Sequence, residues 1–353
     1  MVTIKQIARL AGVSSSTVVN VLHGRSGKAG VETSERVRQV LRETNYVPNM
    51  GARILKTRGS RLIGVVLTWS RRAEQNAVQD PFYGELIGAL EQEIRAAGYF
   101  MLLYTALNAE ECMKMAGSWN VEALILLGCQ KDDCSRLMRS AALPIVFIDA
   151  YFNDDGLPYT CVGLEDRKGS FMLTEYLIAR GHTRIAFLAD KAPPEGTDHE
   201  RLEGFRAAMR KHGLPAGGAD FISISYKQEE RRAFLRAFAN GRARHYSALC
   251  FSSDFYAVDA LVTFYDEGIL VPRDISICGF DGNIFASQCR PRLTTVKQNV
   301  TEKAVIAAAQ ALRLIHKEQS GANIIRLGVA LAEGESVRAM PPTPSPSRPR
   351  CPI

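Results

Sequence analysis

From residue 61 onward the chain alternates short, continuously apolar runs with helical stretches, and this rhythm restricts its fold more than any single motif does. The runs fall at 62–67, 100–104, 123–127, 145–149, 184–189, 221–225, 248–252 and 275–280. Between them Phe82, Leu86, Leu90 and Ile94 recur at helical spacing, as do Val258, Leu261 and Val262. A strand that is apolar along its whole length has no wet face, so its sheet must be covered by helices on both sides. Strands and helices in this order predict parallel sheets, and two such series in tandem predict two lobes. A chain of 353 residues can hold both lobes and one further small domain, each with its own core.

The first sixty residues differ in composition and in period. Of the 44 basic and 37 acidic residues in the chain, ten and three fall in residues 1–60, which leaves 34 of each sign beyond. All of the net charge of +7 therefore sits on a small module, the electrostatic footprint of a protein that grips a phosphate backbone. Thr3 precedes the helical set Ile4, Ile7, Ala8 and Ala11, and Gln6 stands where a capping box needs it. Gly12 interrupts the pattern, Ser14 suits the cap of a second helix over 15–23, and Gly24 suits its end. A third helix, about 32–44, offers Val37, Val40 and Leu41 for packing, with Gly30 in place of a polar cap. Two helices joined by a tight glycine turn are a helix-turn-helix candidate. On the second helix Val18 and Leu22 face one way while Ser15, Ser16, Val19 and Asn20 face the other. Small polar residues let a helix sit deep in the major groove, where Asn20 suits an adenine edge and Val19 a thymine methyl. Read alone, Ser14, Ser15 and Ser16 are better explained as a capped, solvated helix start, and the weight of the DNA reading lies in the surrounding pattern.

In open parallel sheets ligands settle beyond the carboxyl ends of the strands, and a second lobe supplies the facing wall. Several polar and aromatic residues fall at such ends. Asp281 follows the run 275–280, Ser253 and Asp254 follow 248–252, and Asp80, Pro81, Phe82 and Tyr83 open the helix after the first run. Arg201 starts the helix that carries Leu202, Phe205 and Met209. A carboxylate accepts from adjacent hydroxyls, an arginine donates a fork and an aromatic ring covers a sugar face, so together they favour a polyhydroxylated ligand. Each also has a plain structural reading: Asp254 as a helix cap, Arg201 as a surface ion pair, Phe82 and Tyr83 as packing.

The order Thr3-Ile4-Lys5-Gln6-Ile7-Ala8-Arg9-Leu10-Ala11-Gly12-Val13-Ser14, followed by Thr17-Val18 and Val21-Leu22, resembles the DNA-binding headpiece of the lactose/galactose repressor family. Asn45-Tyr46-Val47-Pro48-Asn49 and Ala52-Arg53-Ile54-Leu55-Lys56 resemble that family's hinge. Further on, Arg201-Leu202-Glu203-Gly204-Phe205, Val271-Pro272-Arg273-Asp274-Ile275-Ser276, Cys278-Gly279-Phe280-Asp281 and Leu293-Thr294-Thr295-Val296-Lys297-Gln298 are similar to its body motifs. The likeness spans roughly residues 2–340. It implies DNA contacts from Thr3, Ser14, Ser15, Ser16, Thr17 and Asn20 in the head and from Arg53 and Leu55 in the hinge, Leu55 as a minor-groove wedge. It also implies effector contacts from Arg201 and Asp281, joined by Phe82, Tyr83 and Ser253, the last where relatives often carry Asn. Val19-Asn20 departs from the Ser-Arg or Ser-His common after Thr-Val, so no operator sequence carries over. Glu195 lies where some relatives place an arginine for an anionic effector, which lowers the odds of a phosphate or carboxylate ligand. The loop 68–80 is longer than usual, and its Trp69 either stacks on a sugar or packs the loop.

The expected fold class is α/β: an all-α helix-turn-helix headpiece over 1–46, a hinge over 47–60 and a two-lobed, doubly wound sensor resembling periplasmic binding proteins over 61–340. The first lobe is expected at about 61–161 and 293–322, the second at about 162–290 and 323–340, with 341–353 a disordered tail rich in Pro, Ser and Arg. The motif 293–298 is expected to return the chain to the first lobe. Without leucine heptads near the end, a homodimer is the simpler expectation. The eight cysteines include no CxxC pair and no zinc spacing, and read as small apolar residues in a reducing compartment. No signal segment and no run of about 18 apolar residues is present, which points to the cytoplasm and away from a membrane. The expected partners are double-stranded DNA and a small sugar or polyol, with no metal and no cofactor. The alternative is a solute-binding receptor of a sugar transporter, which shares the two-lobed body but requires export. An enzyme on a nucleotide-binding fold is disfavoured, because no GxGxxG follows a strand and no GxxxxGK[ST] loop occurs.

Overall fold

The computed structural model describes residues 2–22, 30–46, 59–68, 77–129, 131–151, 158–190, 192–318 and 323–341. The chain divides into two compact units, residues 1–60 and 61–353.

In the first unit α1 (Ile4–Leu10), α2 (Ser15–Leu22) and α3 (Val31–Glu43) close over Ile7, Ala8, Ala11, Val18, Val21 and Val37. Thr3 caps α1 through a capping box with Gln6, and Gly12 turns the chain at φ +64°. The end of α1 is closed from α3, whose Arg36 Nε donates to the Ala11 carbonyl at 3.0 Å. Gly30 stands at the N-cap of α3 and offers no side-chain hydrogen bond.

In the second unit two six-stranded sheets stand in series. The first has the order β11-β5-β4-β3-β1-β2 and is parallel throughout. It comprises β1 (Leu62–Thr68), β2 (Phe100–Ala106), β3 (Ala123–Leu127), β4 (Ile145–Ile148), β5 (Thr160–Leu164) and β11 (Asn323–Leu327). The second has the order β12-β10-β9-β8-β6-β7: β6 (Ile185–Ala189), β7 (Phe221–Ser223), β8 (Ala248–Phe251), β9 (Ser276–Asp281), β10 (Thr294–Lys297) and β12 (Ala330–Ala332). All of its pairs are parallel except β10 with β12. The apolar runs behave as their composition demands: every residue of β3 and β6 is buried.

Helices cover both faces. Asp80 caps α4 (Pro81–Ala96) and Pro81 starts it, and Leu86, Leu90 and Ile94 on one stripe are fully buried. Each such side chain contributes roughly 1.5–3 kcal/mol of burial. Beside it lies α12 (Val300–Ile315), where Ala304, Ala307, Ala308 and Ala311 permit close packing. In the second lobe α7 (Asp166–Ala179) and α8 (Gly196–Lys211) approach so closely that a Cβ at Gly204 would collide with the Arg167 carbonyl. That approach explains the glycine in Arg-Leu-Glu-Gly-Phe.

The expected lobe bounds need correction. The strands at 160–164, 294–297, 323–327 and 330–332 were not among the predicted runs, and they decide where the chain changes lobe. Thr294–Lys297 pairs with β9 inside the second sheet, so the return to the first lobe is made after it by α12. Asn323–Leu327 is a strand of the first sheet beside β5, so residues 323–327 leave the second lobe and 160–164 extend the first. Cys129 and Cys134 lie side by side with Cα atoms 6.1 Å apart, and Cys112, Cys161, Cys250, Cys278 and Cys289 are free thiols.

Candidate functional site

On the head, Ser14 accepts from the Thr17 amide at 3.1 Å and its hydroxyl lies 2.7 Å from that of Ser16 and 2.9 Å from that of Thr17. Ser14, Ser15 and Ser16 are exposed, and Thr17 and Asn20 are half-buried. The face of α2 turned from the core is thus short and hydroxyl-rich, as a helix entering a groove requires. Thr3 lies at the exposed start of α1, engaged with Gln6. Arg53, Leu55 and Trp69 lie outside the described residues.

In the body a cavity of about 90 Å³, open to solvent, lies where strand ends of the two sheets face each other. Phe82, Tyr83, Arg201, Ser253 and Asp281, all named from the sequence, line it together with Asp80, Asp149, Asp198 and Gln298. The strand-end rule accounts for the convergence: Asp149 follows β4, Ser252 and Ser253 follow β8, and Asp281 ends β9. The aromatic pair arrives on the first turn of α4, its rings 5.2 Å apart edge to face.

Arg201 is buried rather than a surface ion pair. Its Nε donates to Asp166 at 2.8 Å, its Nη1 donates to the Ser252 carbonyl, and Asp281 stands 3.6 Å from that Nη1. The guanidinium lies 3.7 Å over the Phe280 ring. From Asp281 the network continues: Gln298 Nε2 donates to it at 2.8 Å, Lys303 donates to Gln298 Oε1 at 2.9 Å, and Lys303 also reaches both Asp149 oxygens at 2.8 and 2.7 Å. One chain of hydrogen bonds and ion pairs therefore runs from Asp166 in the second lobe to Asp149 in the first. Burial pushes the Asp281 carboxyl well above the usual carboxylate range, against the pull of Arg201. Burial raises Asp149 too, with Lys303 opposing. For Arg201 burial disfavours the charge, but Asp166 and Asp281 outweigh it and raise its pKa.

Asp254, expected as a helix cap, is instead the first residue of α10 (Asp254–Asp266), and Ser253 is the cap, accepting from the Tyr256 amide at 3.4 Å. The Asp254 carboxylate accepts from the amides of Gly282 and Asn283 at 2.7 and 3.1 Å and from the Thr295 hydroxyl at 2.6 Å. A Cβ at Gly279 would strike that carboxylate, which gives the glycine of Cys-Gly-Phe-Asp its reason. Burial raises the Asp254 pKa to about 6. Among the described residues no group of three or more His, Cys, Asp or Glu side chains is placed to hold a metal ion, and no helix is long and apolar enough to cross a membrane.

A basic three-helix head with a hydroxyl-lined second helix, followed by two parallel-sheet lobes around a polar cleft, defines a DNA-binding regulator of the ligand-sensing class. The comparisons agree with it. Residues 3–49 match bacterial regulatory proteins of the lacI family, and residues 174–337 match a periplasmic binding protein-like domain. The HTH-type transcriptional regulator GalR of Escherichia coli is 31% identical over 325 residues, covering 89% of each chain. The ribose operon repressor of the same species is 31% identical over 317 residues, covering 87% of this chain and 91% of its own. The chain belongs to the lacI family of bacterial regulatory proteins. A structure of the lac repressor dimer bound to operator and the anti-inducer ONPF shares the fold, with a TM-score of 0.82 over 96% of this chain at 22% identity. A complex of the transcriptional regulator CelR with cellobiose has a TM-score of 0.69 at 25% identity over 95% of this chain. The curated relatives named here are transcription regulators, not enzymes.

Proposed function

We propose that this regulator is a homodimeric, cytoplasmic repressor whose hold on its operator is set by an uncharged sugar or polyol in the cleft. The observation that carries the effector class is the Arg201–Asp281 pair beside Phe82 and Tyr83: a buried fork and carboxylate for hydroxyls, and rings for the sugar's apolar face. Ser253 adds a hydroxyl at the head of α10. Ser15, Ser16 and Asn20 read base edges while Ser14 and Thr17 fix the start of the helix, and Thr3 holds α1. Effector acts through differential affinity: it favours whichever arrangement of the lobes it fits better, and DNA affinity changes by the same coupling free energy.

Dimerisation has its own support. The edge strand β2 leaves Phe100 and Leu103 exposed, with Leu107 beyond it, and the second lobe exposes Val262, Tyr265, Ile284 and Phe285. Apolar edges of this kind are covered in a working protein, and a second copy is the occupant proposed. The reading is tested by a thermal-shift screen of neutral sugars and polyols on the wild type and on Asp281→Asn. A compound that stabilises the first and not the second supports it; hits that stabilise both equally remove Asp281 from the site, and a screen won only by phosphorylated compounds refutes the effector class.

A further inference from the structure

Lys303 lies on the first turns of α12 among Val300, Ala304 and Ala307, and its side chain is wholly buried. A lysine is almost never fully buried unless it is paired, and an apolar side chain in place of a buried ion pair is often as stable or more so, because the pair must offset the desolvation of two charges. Stability alone therefore does not account for the residue. We propose that Lys303 is a specificity-determining residue of the cleft: its ammonium fills, from inside the fold, a site built to take a primary amine, and leaves the effector the hydroxyl-reading side around Asp281 and Arg201. Its bearing on the effector rests on the cleft being the effector site; the amine site itself does not.

An ammonium group has three N–H donors and no acceptor, and the surroundings of Lys303 Nζ match that inventory. Nζ donates to Asp149 Oδ1 at 2.8 Å, to Asp149 Oδ2 at 2.7 Å and to Gln298 Oε1 at 2.9 Å. The centre of the Phe82 ring lies 5.1 Å from it, within reach of a cation–π attraction. Asp149, Gln298 and Phe82 line the cavity and Lys303 does not, so the ammonium stands behind a wall made of its own partners. Among the described lining residues the carboxylates of Asp80, Asp149, Asp198 and Asp281 face one cation, Arg201. Such a wall attracts amines. At Asp149 an incoming amine finds both oxygens already taken.

The acceptors keep their places through contacts that do not involve Lys303. The Asp149 amide donates to the Val162 carbonyl at 3.0 Å with its backbone at φ +53°, and the Gln298 amide donates to the Asp281 carbonyl at 3.1 Å. Gln298 Nε2 donates to Asp281 Oδ1 at 2.8 Å, which turns Oε1 toward Lys303. Cutting the lysine back to Cβ therefore opens a space still faced by Asp149, Gln298 and Phe82. Lys303 also reaches the hydroxyl-reading side through this amide. By holding Oε1 it keeps the Gln298 NH2 group toward Asp281, and so sets the direction of hydrogen bonding there.

The test returns to the site, from solution, the group that the variant lacks. In the full chain Lys303→Ala removes the atoms that n-propylammonium chloride supplies; 1-propanol is the neutral counterpart, and tetramethylammonium chloride is a cation without N–H donors. Thermal unfolding is followed by tryptophan fluorescence at pH 8, which keeps the amine charged and favours the ionised form of Asp149, whose carboxyl burial raises. Propylammonium is expected to raise the melting temperature of Lys303→Ala by about 2–4 °C at roughly ten times its Kd, with no such rise from either control. Wild type should respond to none of the three, and Lys303→Ala combined with Asp149→Asn should lose the response. If Lys303→Ala does not fold unaided, it is refolded in each additive, and the proposal requires propylammonium alone to restore the folded protein. Four outcomes overturn the proposal: wild type stabilised by propylammonium as much as the variant, an equal effect of 1-propanol, no effect of any additive, or an undiminished effect in the double variant. No step uses a sugar or DNA, so failure here is separable from failure of the effector reading.

Discussion

In the head, Arg42 meets Glu35 at 3.2 Å with both side chains more than half exposed; in the body, Arg201 meets Asp166 at 2.8 Å with side-chain exposures of 8% and 0%. The first pair is bathed in water and contributes about 0–1 kcal/mol, and the basic excess around it is available to any phosphate that approaches. The second is locked into a network in which each charge has a fixed partner and direction. The head therefore suits a long polyanion met in many positions, and the cleft suits one small molecule met in one. The same side-chain chemistry gives adhesion where it is solvated and discrimination where it is desolvated.

The sharpest way to break that contrast is a salt titration. If the head makes six or more phosphate contacts, affinity for a mixed-sequence duplex falls about a thousandfold or more between roughly 50 and 200 mM salt. Affinity of the cleft for a neutral sugar found in the screen should change by less than about twofold, because buried pairs are little screened. Fluorescence anisotropy for the duplex and calorimetry for the sugar make the comparison. A flat DNA curve would mean that the charge of residues 1–60 has some other use.

Next in size is the loss of one buried cation. Arg201→Met leaves Asp166 and Asp281 in the interior without their counter-charge and should destabilise the body by about 3–5 kcal/mol. Arg42→Met in the head should cost less than about 1 kcal/mol. Both tryptophans, Trp69 and Trp119, lie beyond residue 60, so their fluorescence in urea reads the Arg201 variant, while amide hydrogen exchange in α1–α3 reads the Arg42 one. Adding Asp166→Asn to Arg201→Met should return part of the loss; if the double variant is no more stable than the single one, unpaired charge is not the cause.

How much of this could be read before the structure differs between the two regions. The head's core follows from periodicity, since Ile7, Ala8, Val18, Val21 and Val37 are near neighbours in sequence and each helix brings its own signals. In the cleft, Arg201 and Asp281 were legible because strand ends and family motifs pointed to them. Lys303 was not. It lies among Val300, Ala304 and Ala307 on α12, and nothing local announces a partner 154 residues away in Asp149. Gln298 was visible as the end of Leu-Thr-Thr-Val-Lys-Gln, but its role as the link between Lys303 and Asp281 is a fact of packing. The strands at 160–164 and 323–327 escaped for a related reason. Thr160 and Gly163 in one and Asn323 and Arg326 in the other break the apolar pattern, and each strand takes its place only once the sheet supplies a neighbour.

The smallest effect is one of pH, and it is expected in the body alone. Burial raises Asp254 from 3.8 to about 6, against the hydrogen bonds it accepts from Thr295, Asn283 and Gly282. Between those two values the folded chain holds a proton that the unfolded chain has released. Stability is therefore greatest below about 3.8 as far as this group is concerned, falls as pH rises toward about 6 and is level beyond it. The slope for one proton is at most about 1.4 kcal/mol per pH unit. Asp281 and Asp149, raised by the same burial, carry the decline in the same direction. In the head, Glu32, Glu35 and Glu43 are all exposed, and no buried carboxylate exists to produce such a slope. Urea denaturation followed by tryptophan fluorescence across that window should show the decline in the wild type and a shallower one in Asp254→Asn, whose amide oxygen still accepts from the Gly282 or Asn283 amide. If the two proteins lose stability in parallel, Asp254 is ionised at every pH in the window and its burial does not produce the decline.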